Sequence, residues 1–88
     1  MNTSFLSQFE KDIEKIRMQS VKDDIANAIE QVEAADGLPA IVNLKKLKGF
    51  KTAYRIRIGD YRIGMFINGD TVEFARVVHR RDIYKFFP

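Results

Sequence analysis

The sequence predicts an α+β fold, in which an N-terminal helix hairpin packs on a small antiparallel β-meander sheet and a short C-terminal helical turn follows. Two observations support this prediction. The spacing of apolar residues changes from about 3.6 to 2 near residue 54, and the pairs Gly59-Asp60 and Asn68-Gly69 are turn signals. With 88 residues and no internal repeat, the chain is expected to form one domain over residues 1–88.

Two amphipathic helices are predicted in residues 1–37. The chain is expected to enter the first helix almost directly, with no strand before it. Ser20 is the expected N-cap of the second helix, and Asp36-Gly37 is its expected end. The apolar faces consist of Phe5, Phe9, Ile13 and Ile16 in the first helix and of Val21, Ile25, Ala28, Ile29 and Val32 in the second.

Three strands are predicted after a basic connector that contains VNLKKLKGF. Apolar and polar residues alternate over 54–58 and 61–67, and the third strand is expected over 71–78. A sheet of three strands leaves an exposed edge, which has to be blunted or covered by a partner.

The Gly59-Asp60 turn fixes the pairing of the first two strands. With those residues in the turn, Arg57 lies opposite Arg62, and Arg55 lies opposite Gly64, on the face away from the helices. Like charges directly opposite each other destabilise a sheet. The pattern therefore favours a polyanion bound between the arginines.

The third strand is expected to continue this alternation, except that the alternation would direct the charged Arg76 towards the core. Arg76 is expected near a sheet edge, paired with a helix carboxylate, although a β-bulge also accounts for it. The expected arginine face includes Glu73, Ala75, Val77 and His79, and the expected helix-facing residues are Val72, Phe74 and Val78.

Charge and composition indicate a nucleic-acid partner. Residues 1–37 carry four Lys or Arg against eight Asp or Glu, whereas residues 38–88 carry eleven against four and eight of the ten aromatic residues. A solvated surface that balances an acidic half is the simpler alternative. No cysteine is present, and one histidine with scattered carboxylates lacks metal-ligand spacing, so no metal or other cofactor is expected. No signal peptide or membrane span is visible, which favours a cytoplasmic protein without a membrane partner.

The C-terminal sequence HRRDIYKFFP contains further candidates for phosphodiester chemistry. His79, Arg80, Arg81 and Tyr84 leave the third strand where a helical turn can fold back over the basic face. Arginine holds a phosphate bidentately, tyrosine stacks on a base, and histidine moves protons near neutral pH. Each residue also has a purely structural interpretation. Tyr84 can be a packing residue of the C-terminal segment, His79 can be an ordinary surface histidine, and Arg80 and Arg81 can be a solvated pair.

The segments LKKLKG, YRIRIGDYRIGMF and VVHRRDIYKFF together resemble the RelE/ParE superfamily of toxins from type II toxin–antitoxin systems, in particular its RelE-like branch. The resemblance covers essentially the whole chain. It implies a metal-independent, ribosome-dependent mRNA endoribonuclease that inhibits translation. In such enzymes the ribose 2′-OH attacks the adjacent phosphate in the ribosomal A site, leaving a 2′,3′-cyclic phosphate and a free 5′-OH.

The resemblance also implies roles for single residues. Arg62 corresponds to a phosphate-stabilising arginine, Arg80 to an arginine that acts on the leaving oxygen, and Tyr84 to a tyrosine that stacks on the substrate base. The further residues expected to contact RNA are Arg55, Lys45, Lys46, Lys48 and Arg81.

The general base is left open by this resemblance. Arg55 and Arg57 occupy positions where well-studied members have lysines, one of which is the assigned base. Arginine keeps its proton, so Arg57 is a poor proton acceptor. Either His79 or Glu73 takes the base role, or Arg57 acts only electrostatically.

The resemblance implies three kinds of partner: a cognate antitoxin that wraps the toxin, the ribosome with its mRNA, and operator DNA reached through the antitoxin. Two other functions remain open. One is inhibition of DNA gyrase in the manner of ParE, and the other is RNA or DNA binding with little catalysis. The tail arginines and Tyr84 favour the nuclease, because the gyrase-directed branch generally lacks them. The exchange of lysine for arginine favours weak catalysis.

Overall fold

The computed structural model describes all residues from 1 to 88 and has the predicted α+β architecture. A helix hairpin packs on one face of a sheet, and a short C-terminal helix packs on the other. The helices are α1 (Ser7–Lys15), α2 (Gln19–Ala34) and α3 (Ile83–Phe86). The strands are β1 (Asn2–Phe5), β2 (Leu44–Lys46), β3 (Ala53–Ile58), β4 (Tyr61–Asn68) and β5 (Thr71–His79). None of the helices combines the length and the apolar character that crossing a membrane requires.

The sheet has five strands rather than the predicted three, in the order β1-β5-β4-β3-β2. The meander β3–β4–β5 is antiparallel as predicted, whereas β1 runs parallel to β5. The expectation that the chain enters its first helix directly was wrong, because Asn2–Phe5 pairs with β5 from Thr71 to Phe74. Phe5 therefore belongs to a strand, and its ring stacks on that of Phe74 with centroids 5.2 Å apart.

The other additional strand, β2, lies in the basic connector. Leu44 pairs with Ile56, and Lys45 pairs with Arg55, so Lys45 extends the cross-strand row that contains Arg55. Asn43 precedes the strand with a φ of 63°, a left-handed conformation that asparagine tolerates better than most residues. A three-residue edge strand with two lysines discourages pairing with another chain.

The helix hairpin is present, but α2 begins before the predicted N-cap. Ser20 lies in the first turn of α2, Met18 precedes the helix, and no side chain caps its N-terminus. Gln19 instead donates a hydrogen bond to Asp23 one turn later, at 2.9 Å. The core between the helices and the sheet includes Phe9, Ile25, Val32, Ile56, Ile63, Met65, Val72 and Phe74.

The register of the first hairpin is as predicted. Arg57 pairs with Arg62, and Arg55 pairs with Gly64. Gly59 has a φ of 54°, which a two-residue turn requires and glycine adopts without strain. The arginines of β3 and β4 consequently lie across from each other.

The register of the next strand pair shifts at a β-bulge. Gly64 pairs with Arg76, but Met65 pairs with Phe74, which leaves Ala75 without a partner in β4. An extra residue in one strand inverts the alternation of every side chain beyond it. The predicted faces are therefore reversed after Ala75.

Three residues after the bulge lie on the side opposite to the prediction. Val77 packs in the core beneath the helices, and Val78 packs on the other face. His79 pairs with Tyr61, which borders the helix-side core, and the two rings meet edge to face with centroids 5.9 Å apart. The prediction that His79 shares the face of the arginines was wrong.

A second, smaller core lies beneath α3 on the arginine side of the sheet. It consists of Leu47, Ala53, Ala75, Ile83 and Phe87. The Phe87 ring lies directly on Gly64, where a Cβ atom would be 2.5 Å from the ring Cγ. Only glycine allows this contact, so Gly64 lets the C-terminal segment cover part of the face while Arg57 stays exposed.

Asp12 connects α1 to the edge of β5 beyond the end of β1. Its carboxylate is 4% exposed and accepts hydrogen bonds from the Val77 N–H at 3.1 Å and from Nε of Arg76 at 2.7 Å. The guanidinium carbon of Arg76 also lies 5.0 Å from the centroid of the Phe86 ring. Arg76 thus lies near an edge and pairs with a helix carboxylate, as expected, and it ties α1, β5 and α3 together.

Candidate nucleic-acid interface

The basic side chains of β3 and β4 lie on the face away from α1 and α2. Neighbouring Ile56 and Ile63 are 3% and 0% exposed in the helix-side core, so alternation directs the adjacent arginines to the other side. Arg57 and Arg62 are directly opposite each other, and Arg55 begins the next row. Positive charge is therefore concentrated beside the turn that joins the two strands.

Arg62 is fixed by the turn. Its Nη1 donates hydrogen bonds to the carbonyl oxygens of Gly59 at 2.8 Å and Tyr61 at 2.9 Å. The Nε and Nη2 donors make no hydrogen bond within the chain. A guanidinium held through one nitrogen still presents an edge that can bind a phosphate.

The electrostatics of Arg62 identify its neighbours. Partial burial lowers the pKa of its guanidinium below the usual value, and the charges of Arg55, Arg57 and Arg80 lower it further, while Tyr84 acts in the opposite direction. Arg55, Arg57, Arg80 and Tyr84 are therefore near enough to Arg62 for their charges to act on its pKa. We call these five residues the arginine cluster.

Arg80 reaches the cluster because the end of β5 is attached to the same turn. Its backbone N–H donates to the carbonyl oxygen of Asp60 at 2.7 Å. Its side-chain Nε lies 3.9 Å from Oδ1 of Asp60, with both side chains largely exposed. The turn therefore positions both Arg62 and Arg80.

His79 and Arg81 flank Arg80 in the chain, and their side chains contact each other. Nδ1 of His79 accepts hydrogen bonds from the backbone N–H of Arg81 at 3.2 Å and from its Nε at 3.3 Å. The His79 ring is paired with Tyr61 on the helix side of the sheet. The histidine proposed as a proton acceptor thus lies on the opposite side of the sheet from Arg62.

Glu73 lies on the same face as Arg62 but at the far end of the strand pair. It pairs with Phe66, which is four residues from Arg62 and therefore about 13 Å along the strand. The Phe87 ring, seated on Gly64, lies between them. Neither residue considered as an alternative base is placed beside the cluster.

An open groove adjoins the cluster and contains a residue that the sequence analysis did not select. The groove has a volume of about 660 Å³. Phe50 is 49% exposed and Tyr84 is 70% exposed. Phe50 could have been identified from the sequence, because an aromatic residue directly follows Lys48-Gly49 in the basic connector. The residues that line the groove are Lys45, Lys46, Leu47, Lys48, Phe50, Tyr84, Phe87 and Pro88.

Little negative charge balances this surface. The chain has three ion pairs, and only the pair between Arg80 and Asp60 involves a residue of the cluster or the groove. An unneutralised cluster of cations with neighbouring exposed aromatics is suited to binding a nucleic acid. No three His, Cys, Asp or Glu side chains lie together in an arrangement that could hold a metal ion.

Comparison with known proteins identifies the family. Residues 4–84 match the family model described as ParE toxin of type II toxin-antitoxin system, parDE. The chain is 39% identical to Toxin RelE3 of Methanocaldococcus jannaschii over the full length of both proteins. The chain belongs to the RelE/ParE family of toxins. It is a RelE-like toxin of a type II toxin–antitoxin system.

Solved structures of other family members have the same fold as this RelE/ParE toxin. The RelB-RelE antitoxin-toxin complex from Methanococcus jannaschii contains a chain with a TM-score of 0.80 and 39% identity, over 97% of this chain and 99% of that one. The archaeal RelE-RelB complex from Pyrococcus horikoshii OT3 gives a TM-score of 0.72 at 18% identity, covering 90% and 93%. The second likeness concerns the fold alone.

In this toxin, the predicted site residues fall into three groups. Arg55, Arg57, Arg62, Arg80 and Tyr84 form the arginine cluster. Lys45, Lys46 and Lys48 line the adjoining groove. His79 and Arg81, on either side of Arg80 in the chain, contact each other. The roles of all these residues remain predictions.

Proposed function

We propose that this toxin is an endoribonuclease that cleaves mRNA in the ribosomal A site without a metal ion. The arginine cluster is the observation that carries the proposal. Arg57 and Arg62 lie directly opposite each other, and Arg55, Arg80 and Tyr84 are near enough to act on the pKa of Arg62, although like charges across a sheet disfavour the arrangement. A scissile phosphate offsets that repulsion and gains charge in the transition state, where the cluster binds it most strongly.

The proposed reaction is attack of the ribose 2′-OH on the adjacent phosphorus, with departure of the 5′-oxygen of the next nucleotide. Arg62 holds the non-bridging phosphate oxygens, because its guanidinium is already fixed by two carbonyl oxygens. Arg80 stabilises the negative charge that develops on the leaving oxygen. Tyr84 stacks on the base and aligns the attacking hydroxyl with the leaving group.

The proposal assigns no protein base. His79 lies on the opposite side of the sheet and Glu73 lies at its far end. Arg57 therefore acts electrostatically: its positive charge lowers the pKa of a nearby 2′-OH and so favours the attacking alkoxide. Water or a group of the ribosome accepts the proton.

The proposed regulator is a cognate antitoxin, as in the RelB-RelE and RelE-RelB complexes of the related proteins. Two features of this toxin support such a partner. The outer edge of β1 has unpaired backbone groups, to which a strand can add. Met18 and Val42 are 63% and 56% exposed outside the arginine cluster, so apolar surface is available to a partner. Operator DNA is then contacted through the antitoxin.

Inhibition of DNA gyrase is the second candidate, and one observation favours it. The matching family model is named for ParE toxins. The arginine cluster and the exposed Tyr84 favour the nuclease, because a gyrase inhibitor has no need to hold a phosphodiester at a pair of opposed arginines.

Primer extension on programmed ribosomes tests the proposal. Purified toxin is incubated with ribosomes that carry a defined A-site codon, and the mRNA is examined for a cut within that codon. Arg62→Ala is expected to abolish the cut, whereas Arg17→Ala, an exposed arginine near the helix hairpin loop, is expected to leave it unchanged. Intact mRNA with folded wild-type toxin contradicts the proposal, and inhibition of gyrase supercoiling by the same preparation then supports the second candidate.

A further inference from the structure

The groove beside the arginine cluster has a defined floor and two aromatic walls. Leu47 and Phe87 are 6% and 3% exposed and belong to the core beneath α3, so the floor is rigid and apolar. Phe50 and Tyr84 line the groove above this floor and remain largely exposed. Gly49, with a φ of 84°, makes the tight turn that precedes Phe50.

The rim of the groove is cationic. Lys45, Lys46 and Lys48 line it, and none of them takes part in an ion pair. Lys45 pairs with Arg55 of the arginine cluster across the β2–β3 ladder. Positive charge therefore runs without interruption from Arg62 into the groove.

Tyr84 belongs to both the arginine cluster and the lining of the groove. It raises the pKa of Arg62, and it also lines the groove, as Phe50 does. Because Tyr84 lines the groove, a polyanionic chain whose phosphate is held at Arg62 and whose base stacks on Tyr84 can extend its neighbouring nucleotide into the groove.

We propose that this groove is a second nucleotide subsite, in which Phe50 stacks on the base that neighbours the one held by Tyr84, and Lys45 and Lys48 contact its phosphate. The inference rests on the proposed function, because it takes RNA as the substrate and extends the site that cleaves it. Stacking on an aromatic ring accepts any base, so the subsite contributes affinity rather than base selection.

A nucleotide fits the groove better than a purely apolar ligand does. The floor and walls suit the flat face of a base, while the unpaired lysines at the rim suit a phosphate. A segment of the antitoxin is the competing occupant. Continuity of the charged row with the arginine cluster favours the nucleic acid.

Binding of an uncleavable RNA to the toxin alone tests the inference. The probe is a fluorescein-labelled, fully 2′-O-methylated hexanucleotide, which cannot undergo attack by a 2′-OH, and the readout is fluorescence anisotropy without ribosomes. Phe50→Leu keeps the apolar volume but removes the ring, and it is expected to weaken binding about tenfold. Phe50→Tyr keeps the ring and is expected to bind like the wild type.

The matched control is Phe86→Leu, the same change at a phenylalanine that is 51% exposed outside the groove. It is expected to leave RNA binding unchanged, and thermal unfolding verifies that each variant is folded. Equal binding by wild type and Phe50→Leu overturns the inference. So does a loss of antitoxin binding by Phe50→Leu without a loss of RNA binding.

Cleavage on ribosomes separates this inference from the proposed function. If wild-type toxin cuts mRNA and Phe50→Leu raises KM while leaving kcat nearly unchanged, both are supported. If wild type cuts mRNA, and Phe50→Leu changes neither KM nor RNA binding, only the proposed subsite is rejected. If wild type does not cut but Phe50→Leu still loses RNA binding, the subsite stands as part of an RNA-binding surface and the nuclease is rejected.

Discussion

The pair formed by Asp12 and Arg76 gives the sharpest prediction about stability. Asp12 is buried at 4% exposure and accepts hydrogen bonds from Arg76 Nε at 2.7 Å, Arg76 Nη2 at 3.2 Å, the Val77 N–H at 3.1 Å and the Gln8 side chain at 3.2 Å. Asp12→Asn keeps the shape but removes the charge and turns an acceptor into a donor that faces Arg76. The variant leaves a guanidinium without its counterion.

The expected loss follows from the burial of the two partners. Removal of one member of a buried ion pair costs about 3–5 kcal/mol. Arg76 is 20% exposed, so water recovers part of its solvation and we expect the lower end, about 3 kcal/mol. A domain of this size has a total stability of roughly 4–13 kcal/mol, so the variant is expected to fold but to unfold at a much lower denaturant concentration.

Urea unfolding monitored by circular dichroism measures this loss. The control is Asp82→Asn, which removes an exposed pair with Lys85 at 3.9 Å and is expected to cost less than about 1 kcal/mol. Hydrogen exchange is expected to increase in α3 of Asp12→Asn, because Arg76 also contacts Phe86. A loss in Asp12→Asn no larger than in Asp82→Asn refutes the argument that this pair joins the three elements.

The same pair predicts the direction of the pH dependence. Burial raises the pKa of Asp12, but the hydrogen bonds from Arg76, Gln8 and Val77 and the charge of Arg76 together hold it below its usual value. A lowered folded-state pKa stabilises the fold above the unfolded-state pKa of about 3.9, and that contribution is lost as pH falls through the folded-state pKa. The difference between wild type and Asp12→Asn is therefore expected to shrink below about pH 4.

Three further substitutions test the account. Gly64→Ala places a Cβ atom 2.5 Å from the Phe87 ring, so it is expected to cost about 1–3 kcal/mol in urea unfolding; unchanged stability contradicts the packing described. Arg57→Gln is expected to raise stability by a few tenths of a kcal/mol, by relieving repulsion with Arg62, and to slow cleavage about tenfold or more. His79→Ala is expected to keep cleavage within about threefold, and a loss above about 100-fold identifies it as the base instead.

The sequence predicted the β3–β4 hairpin correctly because two strong signals agree there. Strict alternation from Tyr54 to Ile58 and a two-residue turn at Gly59-Asp60 leave one register. Arg62, Arg80 and Tyr84 were also expected near one another, and the charges of Arg80 and Tyr84 act on the pKa of Arg62.

The edge strands could not be predicted in the same way. β1 and β2 have four and three residues, too few for an alternating pattern to be recognised. Their pairing depends on the free edges of β5 and β3, which are not visible in the local sequence.

The bulge at Ala75 accounts for the error about His79. A bulge inverts every later side chain, and nothing in the residues around Ala75 marks it, since no glycine lies within this part of β5. Phe50 was missed because its neighbours form an irregular turn. The groove that it lines together with Tyr84 depends on how α3 folds back over the sheet.

Chemical analysis of the cleavage ends tests the central claim most directly. mRNA with a single 2′-deoxy nucleotide at the expected cleavage position is compared with all-ribose mRNA on programmed ribosomes. The account predicts that the all-ribose mRNA yields a 2′,3′-cyclic phosphate and a 5′-OH, and that the 2′-deoxy mRNA remains intact. Cleavage of the 2′-deoxy mRNA, or products with a 3′-OH and a 5′-phosphate, would contradict attack by the 2′-OH at the arginine cluster.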